Sequence, residues 1–164
     1  KTNPKLEVEL HHGLSRHMTE EVISMKLDVA IVVNPVAHPD LVIKDILKDQ
    51  ITLWRTRGCE NPDVLMIEPS LMQTQDLVRK LAKKGFIFKR TLTSPSLEVL
   101  AQLLTAGTGY ALLPERVIRA LAHEKFEKVP EAPAFQDRIA MIFKKEFTKT
   151  ARGKAVVQAL ARIK

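Results

Sequence analysis

Cysteine is almost missing from this 164-residue chain: Cys59 stands alone, so no internal disulfide can form. That usage fits a reducing compartment, which we read as the cytoplasm. Aromatic residues make up only 5% and do not interleave with the basic ones, which removes the stacking platform that single-stranded nucleic acid needs. With 6 glycines and 9 prolines the chain is neither collagen-like nor a low-complexity linker. No apolar run approaches the ~20 residues that span a bilayer. The opening Lys1-Thr2-Asn3-Pro4-Lys5 has no apolar core of a secretory signal. What is present is globular composition, 45% hydrophobic and 27% charged, in a length that suits one domain or two small lobes.

The net charge of +7 suggests nucleic acid until it is mapped. Residues 1–115 hold 14 basic and 14 acidic side chains, whereas 116–164 hold 12 and 5, so the whole excess lies in the last third. It is diffuse there, densest at Arg116–Arg119, Lys144-Lys145 and Lys149–Lys154, and no zinc-finger spacing, basic zipper or RNA-recognition signature accompanies it. A solvated basic face accounts for this segment.

Residues 6–10 alternate Leu-Glu-Val-Glu-Leu and predict an edge strand with one apolar face. Ser15 is placed to cap a helix over 15–26, and Leu27–Val33 predicts a strand buried on both faces, as parallel strands are. The opening is thus a βαβ unit ended by Asn34-Pro35. Two strands follow, Leu41–Leu47 and Gln50–Arg57, with a turn at Lys48-Asp49. A second cycle comprises strand Val64–Glu68, a helix over 71–84 capped by Ser70 and stopped by Gly85, and strand Phe86–Leu92. A third has a helix from about Pro95 to Ala106, Gly107 as its stop, and strand Gly109–Leu113, with Gly109 as a close-packing position; a short helix follows to about His123. Arg138–Lys145 predicts a last strand and 150–163 a last helix. Linkers at 58–63 and 124–135 divide the chain into a first lobe, 1–57 with 131–164, and a second, 58–130. The fold class is α/β, two lobes, each a mostly parallel sheet flanked by helices. Ligands of such folds bind beyond the carboxyl ends of the parallel strands, here in the cleft between lobes. That places polar groups of interest at 13–15, 34–35, 68–70 and 93–96.

Thr93-Ser94-Pro95-Ser96 is the most informative stretch: Ser94 as cap and Pro95 at the first helical position leave free amides and two hydroxyls facing an anion. The plainer reading is an ordinary helix start. Ala106-Gly107-Thr108-Gly109 joins helix to strand, the reverse of the nucleotide fingerprint, so no nucleotide site is assigned there. His11, His12 and His17 with Glu20 and Glu21 lack metal-ligand spacing, and no catalytic triad, nucleophile elbow or carboxylate pair is visible. We therefore expect no cofactor, no metal and no enzymatic activity.

Two blocks together resemble a known family. Val8-Glu9-Leu10, Gly13, a helix and Leu27-Asp28-Val29-Ala30-Ile31 form one; Leu103–Pro114, with its Ala-Gly-Thr-Gly-Tyr run, forms the other. Their order, spacing and the closing strand and helix resemble the effector-binding domain of LysR-type transcriptional regulators across essentially the whole chain. The resemblance implies a type 2 periplasmic-binding-protein fold and a small-molecule effector, an anion among the candidates. It implies contacts at Gly13, Leu14, Ser15, Val33, Asn34, Ser94, Pro95 and Ser96. Leu14 stands where relatives often carry a hydroxyl. It further implies a homodimer or tetramer with no membrane partner, and DNA contact only through a winged helix-turn-helix that lies outside this sequence. The family's domain also begins with one more strand and helix upstream of 6–10. A solute-binding protein of a transport system is the alternative on the same fold, and a small α/β enzyme a third reading.

Overall fold

The computed structural model describes residues 6–59, 63–121 and 123–162. It contains two compact units, one comprising Lys1–Lys48 with Asp137–Lys164 and the other Asp49–Gln136. The chain crosses from one to the other inside two strands, and the linkers at 58–63 and 124–135 both fall within the second unit.

In the first unit, α1 (Ser15–Ile23) leads to β1 (Val29–Val33), which pairs antiparallel with β7 (Phe135–Lys144), Val29 opposite Phe143 and Val33 opposite Ile139. Next to β7 runs β2 (Leu41–Thr56), and α5 (Ala151–Leu160) closes the unit. The period-2 geometry of strands sends alternate residues to opposite faces. Ala30, Val32 and Ile142 pack against Met18 and Val22 of α1, while Met141 and Phe143 pack against Val157 of α5. Thr150 caps α5 by accepting from Gly153 N–H, and the packing there is so close that a Cβ on Gly153 would sit 1.8 Å from the Phe147 carbonyl oxygen.

The second unit is built on β3 (Val64–Ile67), β4 (Arg90–Thr93) and β5 (Tyr110–Pro114), ordered β2-β5-β3-β4 with the later half of β2. β3 is parallel to both β4 and β5, and β5 is antiparallel to β2. Helices α2 (Met72–Lys83), α3 (Leu97–Thr105) and α4 (Glu115–Arg119) cover it. Alternation again assigns the faces: Leu65, Tyr110 and Leu112 meet Leu77 and Leu81 of α2, while Val64, Met66, Ala111 and Leu113 meet Leu100, Ala101 and Leu104 of α3. The predicted role of Gly109 holds, since a Cβ there would lie 2.5 Å from the Val64 carbonyl oxygen. Gly85 and Gly107, with φ of 83° and 71°, end α2 and α3 in the left-handed region that glycine alone enters freely.

Several expectations are corrected. Residues 6–10 form no strand; Glu7–Leu10 lie exposed, Leu10 at 91%, because alternation offers a face but a strand needs a ladder partner, and β1 pairs with β7 alone among the described residues. The opening βαβ unit is therefore absent. β1 is antiparallel and only partly covered on its second face, where Val29 packs beside Val157 but Ile31 is 46% exposed. The two strands expected at 41–57 are one 16-residue strand running straight through Lys48-Asp49, because Asp49 accepts from Gln50 N–H and is tied to Arg116, which satisfies the carboxylate without a turn. Ser15 and Ser70 cap nothing; the residues at the two N-cap positions are Leu14 and Leu71. The helix expected from Pro95 begins at Leu97 with Ser96 as cap. The 124–135 linker contains β6 (Phe126–Lys128), which pairs with the end of β2 through Trp54, Arg55 and Thr56. The start at 1–5 and the far end of the last helix, 163–164, lie outside the described residues.

Candidate functional site

The first unit collects its predicted residues around the carboxyl end of β1. Gly13 and Leu14 are exposed and lead into α1, with Leu14 at φ −64° and ψ 140°. Ser15, the first residue of α1, turns its hydroxyl away from the helix: Ser15 Oγ accepts from Val33 N–H at 3.0 Å. This single bond ties the 13–15 turn to the last residue of β1. Asn34 follows at φ 52°. Its Nδ2 donates to Asp137 Oδ1 and its Oδ1 accepts from Arg138 N–H, both at 2.8 Å, while its own N–H donates to Arg138 O at 2.8 Å. The Asn34 side chain and its backbone N–H are thus both spent on the structure. Arg138 adds a guanidinium that contacts Asp45 at 3.3 Å and donates to Pro35 O at 3.2 Å.

In the second unit, Ser94, Pro95 and Ser96 join β4 to α3. Ser94 N–H donates to Ile67 O at 3.2 Å, which fixes the loop to the end of β3. Ser94 Oγ accepts from Ser96 N–H at 3.1 Å. Ser96 Oγ accepts from Val99 N–H at 3.2 Å and donates to Glu98 Oε2 at 2.9 Å. Glu98 lies in the first turn of α3 and complements the positive end of its dipole. Beside this loop, Glu68 at the end of β3 is buried; its Oε1 accepts from Ser70 N–H and Oγ at 2.8 and 2.5 Å, and its Oε2 has no hydrogen-bond partner.

The structure therefore brings Ser15, Val33 and Asn34 together, and Ser94 with Ser96, each set in its own unit. Sequence reasoning missed Asp137, Arg138 and Glu98. Asp137 and Arg138 lie more than 100 residues from Asn34, and no local pattern announces such a pairing; Glu98 was legible as the acidic residue two positions after Ser96. Among the described residues no three His, Cys, Asp or Glu side chains gather as a metal site, and His17 stands 3.5 Å from Glu21. No described helix is long and apolar enough to cross a membrane.

A family model for the LysR substrate binding domain matches residues 1–163. The chain belongs to that family. Among curated proteins, the HTH-type transcriptional regulator YofA of Bacillus subtilis (strain 168) is 25% identical over 156 residues, covering 90% of this chain and 54% of YofA. The regulator GltR of the same organism is 26% identical over 133 residues, covering 74% of this chain and 44% of GltR. The LysR domain here thus spans about half the length of the curated relatives it matches. Among solved structures, the regulatory domain of HypT from Salmonella typhimurium superposes with a TM-score of 0.78 at 12% identity, covering 96% of this chain and 82% of HypT's. Vibrio fischeri DarR, solved in complex with DNA, gives 0.74 at 13% identity, covering 91% and 55%. At such identities these neighbours establish the fold, that of LysR regulatory domains with their periplasmic-binding-protein-like architecture. The matches are to transcriptional regulators, and nothing in them favours solute transport.

Proposed function

We propose that this LysR domain is the effector-sensing part of a cytoplasmic transcriptional regulator, with effector contacts at Gly13, Leu14, Ser15, Val33 and Asn34 in the first unit and at Ser94–Ser96 in the second. The observation that carries the reading is the family match over residues 1–163. The local chemistry supports it. The Ser15–Val33 bond and the Asn34–Asp137–Arg138 set hold one group of polar atoms in fixed positions, and the Ser94–Ser96 loop holds another. Fixed donors and acceptors orient a ligand at little entropic cost. Glu98 already sits at the positive end of α3, and Glu68 Oε2 lacks a donor. An effector with both an acceptor group and a hydrogen-bond donor suits these groups better than a simple dianion.

Binding acts without chemistry on the ligand: it shifts the population of a homodimer or tetramer and so changes how helix-turn-helix domains outside this chain meet DNA. The test is a thermal-shift screen of the 164-residue chain against central metabolites, followed by calorimetry on the hits. A hit whose affinity falls about tenfold in Ser94→Ala, as expected for one lost ligand hydrogen bond, supports the assignment. A hit bound equally by the wild type and Ser94→Ala overturns the site.

A further inference from the structure

Between the end of β3 and α2, the second unit has a groove of about 380 Å3 lined by Ile67, the last residue of β3, by Pro69, and by Thr74, Gln75, Val78 and Arg79 along α2. Thr74 is 1% exposed, and its Oγ1 makes no hydrogen bond. Native folds rarely bury a hydroxyl without a partner, and where they do a ligand, a water or a functional role accounts for it. The groove rim is closed by Gln75 Nε2, which donates to Pro69 O at 3.3 Å.

Arg79 is the ionisable residue among those lining the groove, while Glu68, between Ile67 and Pro69, is buried with its Oε1 turned to Ser70. α2 begins at Leu71 with no side-chain cap and has no acidic residue in its first turn, and just ahead of it the Glu68 carboxylate accepts from Ser70 N–H. Arg79 adds a guanidinium. Its ion pair with Asp76 is long, 3.6 Å, while Lys80 holds the other oxygen of Asp76 at 2.6 Å. Arg79 is therefore open to a second anion. The remaining walls, Ile67, Pro69 and Val78, are apolar.

We propose that this groove is a second small-molecule site, separate from Ser94–Ser96, for a short-chain monocarboxylate. The carboxylate accepts from the Thr74 hydroxyl and the Arg79 guanidinium, and the alkyl chain lies on Ile67 and Val78. One cation and one hydroxyl match one carboxylate; a phosphate or dicarboxylate would leave charge unmatched. The proposal does not depend on the identity of the effector at the other site.

The test titrates isotope-labelled 164-residue chain with sodium butyrate and follows backbone amides by two-dimensional NMR, with the neutral isostere butyramide and sodium chloride as controls. Saturable shifts over residues 72–79 with butyrate alone are expected, and Thr74→Val and Arg79→Gln should each weaken binding about tenfold. Thr74→Val keeps the volume and removes a hydroxyl that bonds nothing, and Arg79 is largely exposed, so neither loss can be ascribed to unfolding. No saturable shift at 72–79, shifts confined to 94–96, an equal response to butyramide, or unchanged affinity in both variants would overturn the proposal.

Discussion

Replacing Asn34 tests the strand end on which the first unit's half of the site is built. The residue sits at φ 52°, where alanine pays roughly 1–2 kcal/mol and asparagine less. Its Nδ2 donates to Asp137, a carboxylate only 2% exposed, and its Oδ1 receives Arg138 N–H. A hydrogen bond to a charged group contributes about 1.5–3 kcal/mol and a neutral one about 0.5–1.5. Asn34→Ala should therefore cost about 3–5 kcal/mol, a large share of the ~5–15 kcal/mol that holds a domain together. Asn34→Gly escapes the Cβ penalty of roughly 1–2 kcal/mol but loses about 0.5–1 kcal/mol more backbone entropy, so it should cost up to about 1 kcal/mol less than Asn34→Ala. Asn34→Asp keeps the shape but turns the donor into an acceptor facing Asp137, and it should cost at least as much as the alanine variant at pH 7. Urea denaturation followed by circular dichroism measures all three. An alanine variant within about 0.5 kcal/mol of wild type, the usual scatter of surface substitutions, or an aspartate variant of wild-type stability, would refute the role given to this side chain.

Three other substitutions read separate parts of the structure. Gly109→Ala places a Cβ 2.5 Å from the backbone of β3 and should cost about 1–3 kcal/mol in the same unfolding assay, with no change in fold by circular dichroism. Hydrogen bonds from Lys128, and then Arg119, hold the Glu115 carboxyl below the usual glutamate range. A depressed folded value gives stability that is complete above the unfolded value of ~4.3 and is lost as pH falls through the folded one. Glu115→Gln should therefore be less stable than wild type near pH 7, with the gap closing toward pH 2 in urea titrations. Ser96→Ala removes the cap that accepts from Val99 N–H and should lower stability by about 1 kcal/mol while leaving hydrogen exchange in the first unit unchanged.

The contrast between the two units shows what a single chain can reveal about itself. In the second unit every signal is local. Val64–Ile67, the amphipathic α2, the Gly85 stop, the apolar α3, Gly107 and the close-packed Gly109 follow one another within 50 residues, and each was placed to within a few positions. The exception is β4, which starts at Arg90 rather than Phe86, since Phe86 and Phe88 serve as packing against α2 instead of ladder residues. In the first unit, structure depends on distant partners. Leu6–Leu10 has the alternation of a strand, but no ladder receives it. β1 takes its direction from β7, more than 100 residues away, so its buried look was mistaken for parallel pairing. The candidate site divides in the same way. The Ser94–Ser96 loop was visible as a helix start, although the cap moved two residues to Ser96 because Ser94 receives the Ser96 N–H. The uses of Ser15 by Val33 and of Asn34 by Asp137 join residues no short window contains.

The central claim is that a small molecule held at these strand ends controls DNA binding by the regulator of which this LysR domain is part. The direct measurement is operator affinity of the full-length regulator, with and without the effector found by the screen, for wild type and Ser94→Ala. The account predicts a change of at least about fivefold on adding effector to wild type, and about tenfold more effector needed for the same change in the variant. Operator affinity that ignores every metabolite stabilising the 164-residue chain would contradict it.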